Sequence, residues 1–233
     1  MSARVSVPSY VTPGTYLENL RFIDERTDVR NVELLFFIYD DDTKALLRSE
    51  SARIAEYSDC FGFTVHMPDE IAASHEEILE ATAGFASAFI IHPPRNDQGI
   101  PAFTRLFDKW RFCYGADRFL LENTRLDRFI PADAAFRHSR LGPPRLCADI
   151  GHLRMEGVDP VAWVAQRADR IAELHVHGFD GNRDHVAFGS DEPWVAGLGP
   201  FASAFGGIVE LEMFSWPELE PAIATLRNAW GLR

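Results

Sequence analysis

The stretch IAELHVHGFDGNRDHVAFG, residues 171–189, begins as an apolar strand and ends in a polar, glycine-bearing loop. His175 and His177 stand where the strand finishes, and His185 stands in the loop just beyond. Working outward from it, short apolar runs recur at spacings of roughly 25 to 35 residues. They are RVSVPSY (4–10), NVELLFF (31–37), FGFTVH (61–66), SAFIIH (87–92), RFLLEN (118–123), RLCADI (145–150), RIAELHVH (170–177) and GIVELEMF (207–214). Each is rich in Val, Ile, Leu and Phe, as strands of a parallel sheet covered on both faces should be.

Segments with helical spacing lie between the runs, among them TYLENLRFIDERT, IPAFTRLFDKWRFCYG and PELEPAIATLRNAWG. Asp159-Pro160 reads as an N-cap followed by proline in the first helical turn. Strands alternating with helices are βαβ units, and eight of them predict a closed (β/α)8 TIM barrel, one domain over residues 1–233. A doubly wound open sheet is the competing architecture. The absence of a glycine-rich phosphate fingerprint after the first run weakens it.

Composition narrows the function. The net charge is −12, from 35 acidic and 23 basic side chains, with no run of basic residues. Such a surface repels nucleic-acid phosphates and acidic membranes, so a small-molecule substrate is expected, with neither nucleic acid nor membrane as partner. The three cysteines, Cys60, Cys113 and Cys147, have no close spacing. They predict no disulfide framework and no cysteine-rich zinc site. No apolar segment has signal-peptide or membrane-span length, and a cytoplasmic setting is expected.

In a barrel of this kind the active site lies at the C-terminal ends of the strands. His66, His92, Glu122, Asp149, His175 and His177 all fall at such ends, His152 lies one turn on, and His185 lies in the loop after strand 7. Glu210 and Glu212 lie in strand 8; only His75 and His138 fall in helical segments. So many histidines and carboxylates in apolar strands carry a large desolvation cost unless something pairs them, and divalent metal ions would do so. Imidazole with carboxylate suits Zn, Mn or Fe(II). Glu122, Asp149, His175 and Glu212 would satisfy one ion and suit proton transfer beside a carbonyl, with the two glutamates as acid and base. Adding His66, His92, His152 and His185 gives enough ligands for two or three ions, which suits phosphoester hydrolysis.

TVHMP, IIHPP, LLENT, CADIGH, ELHVHG, DHVAFG and VELEMF, in that order, resemble the xylose-isomerase-like TIM barrels, the superfamily that includes endonuclease IV. The resemblance covers nearly the whole chain. It implies metal ligands at His66, His92, Glu122, Asp149, His152, His175, His185 and Glu212, with Glu122, Glu212 and His152 as the catalytic candidates. The remaining ligand of the endonuclease branch is an Asp two residues before the loop histidine. Arg183 stands there, beside Asp184, and both, with His177, are expected at the substrate. Of His175 and His177, the former matches the motif's ligand, and Glu212 is preferred to Glu210.

PSYVTPGTYLENLRF and VELLFFIYD look most like the cobamide-remodelling phosphodiesterases, which cleave the nucleotide loop of a corrinoid. That resemblance implies a metal-dependent phosphodiesterase of a small molecule. Tyr10, Phe36, Phe37, Tyr39 and Trp194 are candidates for an apolar wall against a large planar ligand. The alternatives are a single-metal sugar or keto-acid isomerase or epimerase, and a non-catalytic corrinoid- or metal-binding barrel.

Overall fold

Val, Ile, Leu and Phe on both faces of a short segment must be covered on both faces, and a barrel wrapped in helices does this. The computed structural model describes residues 3–232. The strands are β1 (Arg4–Pro8), β2 (Asn31–Leu35), β3 (Gly62–His66), β4 (Ala86–Ile91), β5 (Phe119–Glu122), β6 (Arg145–Asp149), β7 (Ile171–Val176) and β8 (Ile208–Leu211). All pair in parallel with their sequence neighbours, and β1 pairs with β8 to close the ring. The helices between them are α1 (Tyr16–Arg26), α2 (Asp41–Glu56), α3 (Glu76–Thr82), α4 (Ile100–Tyr114), α5 (Leu126–Ala135), α6 (Ile150–Met155), α7 (Pro160–Ala165), α8 (Pro193–Ala204) and α9 (Trp216–Trp230). The expected (β/α)8 barrel is what the chain forms.

Helix starts follow local chemistry. Thr15 and Glu18 form a capping box on α1, Asp40 caps α2, and Asp159 caps α7 with Pro160 in its first turn. Strands β1 and β2 stop short of their apolar runs. The Ser9 hydroxyl accepts the Leu35 N–H at 3.0 Å, replacing the next ladder bond, and Tyr10 and Phe37 continue into loops over the mouth. Phe36 instead is fully buried under the helices against Tyr16 and Tyr39, and Trp194 packs on Phe188 and Trp230. Of the five aromatic candidates, Tyr10 and Phe37 are the two that line the apolar cavity beside the mouth.

Outward-facing side chains such as Val7, Val32, Leu34, Val65, Phe89 and Leu174 join the helices in one large core. The lumen differs. Among the described residues, Ile90, Leu120 and Cys147 form a small apolar cluster inside it, flanked by Ala88 and Ala172. Much of the rest is polar and buried. Cys147 is free there, and Cys60 and Cys113 are free and exposed. Among the described residues no helix is long and apolar enough to cross a membrane.

Candidate metal centre

Side chains alternate along a strand, so the last inward residue of each strand reaches the C-terminal mouth. By this rule β3 delivers His66, β5 Glu122 and β6 Asp149, while His92 and Glu212 follow just after β4 and β8. The Glu212 N–H is tied to the Val176 carbonyl at 3.1 Å, which holds it against β7. Asp149 also caps α6, its Oδ1 accepting the His152 N–H at 2.7 Å, so one carboxylate sets the position of the next candidate ligand.

Two clusters result. In the first, His66 Nε2, His92 Nε2 and Glu122 Oε2 are mutually 3.1 to 3.2 Å apart. Donors arranged tetrahedrally at about 2.1 Å around a zinc-sized ion lie about 3.4 Å from one another, so this triple is close to ligand spacing. Its protonation supports the fit. His66 Nδ1 lies 2.9 Å from the Met67 carbonyl, which can only accept, so Nδ1 carries the proton. Neutral His66 then turns a bare Nε2 lone pair on a carboxylate oxygen, an arrangement that calls for a cation or an extra proton.

In the second, His152, His177 and His185 gather around Asp149 and Glu212. His177 Nε2 is 3.3 Å from Asp149 Oδ1, and His185 Nε2 is 3.4 Å from Glu212 Oε2. The rings of His177 and His185 stack at 4.1 Å. The loop pays for this with a left-handed backbone at His185, φ 53°, a strained state for a non-glycine residue. It folds back through a bridge between Gly178 and Val186, where a Cβ on Gly178 would lie 2.7 Å from two carbonyl oxygens. Asp184 accompanies His185, with Oδ1 3.3 Å from Nδ1.

His175 and His177 face the same way but at different depths. Register sets His175 beside Asp149 and Glu210, whereas His177 follows the strand end at the rim. His175 Nδ1 looks toward Glu212 at 3.5 Å and Glu122 at 3.9 Å, and its Nε2 toward Glu33 at 3.3 Å. It therefore lies between the mouth and the layer below. Arg183 is not brought in. Its backbone N–H and guanidinium both bond Asp180, and its side chain is 70% exposed.

The electrostatics are those of a charged network. Burial raises the Glu122 carboxyl, but the charges of His92, His66 and His175 outweigh it and hold it well below the usual range. Glu212 is held low in the same way by His175 and His185, and Asp149 by His152 and His177. Conversely, burial lowers His66, yet Glu122, Glu33 and Glu212 bring it up to about 8. Burial also lowers His185, but Glu212, Asp149 and Asp184 take it to about 9. The histidines are thus raised and the carboxyls lowered by one another's charge. Even so, Asp149 Oδ2, both His175 nitrogens and His177 Nε2 have no hydrogen-bond partner although buried.

Composition and spacing did not point to Gly151 or Phe214. A Cβ on Gly151 would lie 2.0 Å from His177 Cε1, so glycine makes the space that the imidazole fills. Phe37 and Phe214 pack edge-on over the mouth, against His66 and His185 respectively. They line both the 260 Å³ cavity over the ligands and a 440 Å³ apolar cavity beside it that Tyr10, Leu35 and Ile38 complete.

Solved structures share this architecture. The chain is similar to a 3-keto-D-glucoside 4-epimerase from E. coli, with a TM-score of 0.64, 14% identity and 98% of each chain covered. It is similar to an L-ribulose 3-epimerase, at 0.63 and 16%, covering 98% of this chain and 87% of that one. A family 2 AP endonuclease from Brucella melitensis follows at 0.62 and 15%, with 96% and 97% covered. The fold shared with these structures is the closed (β/α)8 barrel. At these identities the likeness establishes architecture, shared here by epimerases and endonucleases alike. No protein-family model and no curated protein matches the chain.

Proposed function

We propose that the protein is a divalent-metal-dependent enzyme acting on a small molecule at the C-terminal mouth of the barrel. The observation that carries this is the convergence of buried donors on the mouth, His66 Nε2, His92 Nε2 and Glu122 Oε2 lying 3.1 to 3.2 Å apart, with both His175 nitrogens and Asp149 Oδ2 left without a hydrogen-bond partner beside them. A bound divalent ion supplies Lewis-acid polarisation of a substrate oxygen.

The structural neighbours lean toward isomerases and epimerases rather than toward the phosphodiesterase expected from sequence, and isomerisation or epimerisation of a sugar or keto acid is the first reading. On this reading Glu122, Asp149, His175 and Glu212 hold one ion. Glu122 and Glu212 are kept ionised by the histidines around them, so each is ready to take a proton from a carbon beside a carbonyl and return it. His66, His92 and His177 contact the substrate, His152 serves as a proton donor, and Phe37 and Phe214 keep water off the reacting face. Asp184 orients His185; the exposed Arg183 meets substrate only if its loop turns inward.

A second reading, hydrolysis of a small phosphodiester, is favoured by the second cluster. His152, His177 and His185 stand apart from the His66–His92–Glu122 triple, and together with Asp149 and Glu212 they offer donors for more than one ion. The sequence resemblance supports the nucleotide loop of a cobamide as that substrate, and the apolar cavity beside the mouth is suited to a planar group.

The test is the number of metal equivalents, by elemental analysis, that the wild type holds beyond a Glu122→Gln/Glu212→Gln double variant. One equivalent, with solvent deuterium entering a keto sugar, supports the isomerase. Two or three, with release of corrinoid phosphate and a lower-ligand riboside from a cobamide, support the hydrolase. Metal bound with no turnover of either substrate class favours the non-catalytic binding barrel, and no difference between the two proteins ends the metalloenzyme reading.

A further inference from the structure

Beneath the mouth the lumen carries a second polar layer that neither reading uses. It consists of Ser6 from β1, Glu33 from β2, Thr64 from β3, Glu173 from β7 and Glu210 from β8, none more than 1% exposed. Thr64 Oγ1 lies 3.3 Å from Glu33 Oε2 and 3.4 Å from Glu173 Oε1, joining opposite walls of the barrel. One hydroxyl proton serves only one of these contacts. Glu33 Oε1, Glu173 Oε2, both Glu210 oxygens and Ser6 Oγ have no hydrogen-bond partner, and His175 Nε2, also without one, stands 3.3 Å from Glu33 Oε2. Among the described residues no lysine or arginine side chain bonds these carboxyl groups. Three buried carboxyl groups with so few donors carry a desolvation cost of several kcal/mol each unless a cation or bound protons offset it.

We infer that this layer is a second cation site, held by Glu33, Glu173 and Glu210 with the Ser6 and Thr64 hydroxyls as neutral donors, and that it takes a hard divalent ion. The donors are all oxygen, the set that suits Mg2+, Ca2+ or Mn2+ rather than zinc. Access is from the opposite end of the barrel. A 350 Å³ cavity at the N-terminal mouth reaches Glu173 past Arg4, Asp117, Arg145 and Asp169. The site is joined to the mouth through His175. His175 Nε2 stands nearest Glu33, while its Nδ1 faces Glu212 and Glu122. A carboxylate behind a ligating histidine sets its tautomer and orientation in this way.

The inference stands whichever chemistry the mouth performs. It is tested by equilibrium dialysis of the full-length protein with Mn2+ as probe, comparing wild type, Glu210→Gln and the Glu122→Gln/Glu212→Gln double variant, with Glu173→Gln standing in should Glu210→Gln not fold. The expected result is one Mn2+ fewer in Glu210→Gln than in wild type, and one Mn2+ retained by the double variant. Equal Mn2+ in Glu210→Gln and wild type, with an unchanged or higher melting temperature, means the layer is neutralised by protons and overturns the inference while leaving the mouth untouched. A loss confined to Glu210→Gln sustains the inner site and removes the mouth reading. A wild type that binds no Mn2+ ends both.

Discussion

Substituting Gly151→Ala puts one methyl group where His177 now lies. The added Cβ would be 2.0 Å from His177 Cε1 and 2.3 Å from both ring nitrogens. Carbon atoms pack at about 3.5 to 4 Å, so the ring must retreat by about 1.5 Å or more. It has nowhere to go in place, with Asp149 Oδ1 at 3.3 Å, the Gly178 carbonyl at 3.1 Å and the His185 ring stacked at 4.1 Å. The imidazole must rotate away, taking Nε2 from Asp149 and unstacking His185. Overpacking costs about 1–3 kcal/mol. Alanine in the first turn of α6 recovers at most about 1 kcal/mol of helix propensity. The net loss of about 0–3 kcal/mol lowers Tm by no more than about 12 °C in a chain of this size. Function falls much further, by about 10- to 100-fold in metal affinity or activity, as when the support of a ligand is removed. The assay is a thermal melt beside a metal titration. Wild-type metal affinity with an unchanged Tm would show that the His177 pocket has slack, and the close-packed second cluster would be refuted.

The pH response of the metal-free protein has a definite sign. His66 is raised to about 8 and His185 to about 9, so their stabilisation is complete below the ordinary histidine value and is lost as pH rises through 8 to 9. For buried His66 alone, about 1.5 pH units correspond to about 2 kcal/mol, or about 4–8 °C in Tm. Glu122, Asp149 and Glu212 are depressed, so their contribution is present above the ordinary carboxylate range and lost in acid. Chelator-treated protein should therefore melt lower at pH 9.5 than at pH 7, while zinc- or manganese-loaded protein should not, since metal binding displaces these protons and strengthens with pH; parallel curves would count against the ligand assignment. Arg183→Ala, on an exposed side chain already tied to Asp180, should leave KM and metal content within about twofold of wild type, and a tenfold rise in KM would show the loop turning inward. Asn19→Ala removes a side chain that accepts the Val11 and Thr12 N–H groups and donates to the Thr12 and Thr15 carbonyls. It should lower stability by about 1–3 kcal/mol in a denaturant melt without changing metal stoichiometry.

The barrel was legible because two-sided burial leaves an apolar run at every strand, and the ligand stations were legible because polar residues interrupt those runs at their ends. Depth was not. Alternation sends His175 and His177 to the same side, and only pairing of His175 with Asp149 and Glu210 reveals that it sits lower. Glu33 in NVELLFF carried the same signal as Glu210, a carboxylate inside an apolar strand, but its partner Thr64 comes from another strand. Gly151 was illegible for the same reason, since the atom that needs its space arrives from β7. The inward expectation for Arg183 met a local turn, in which the Asp180 carboxylate captures the next backbone N–H groups and holds the arginine outside.

Strand β8 pairs with β7 on one side and with β1 on the other, Arg4 meeting Ile208 at the seam. The candidate ligands are drawn from β3 through β8, so no partial barrel possesses the centre. Ligand atoms contributed in order along the chain wait for the last strand before they converge. An ion that binds only the converged set stabilises the closed ring by mass action and slows its opening at the seam. Metal uptake would then act as a latch on folding, and amide hydrogen exchange along β1 and β8, far in sequence from most of the histidines, is where its hold would be felt.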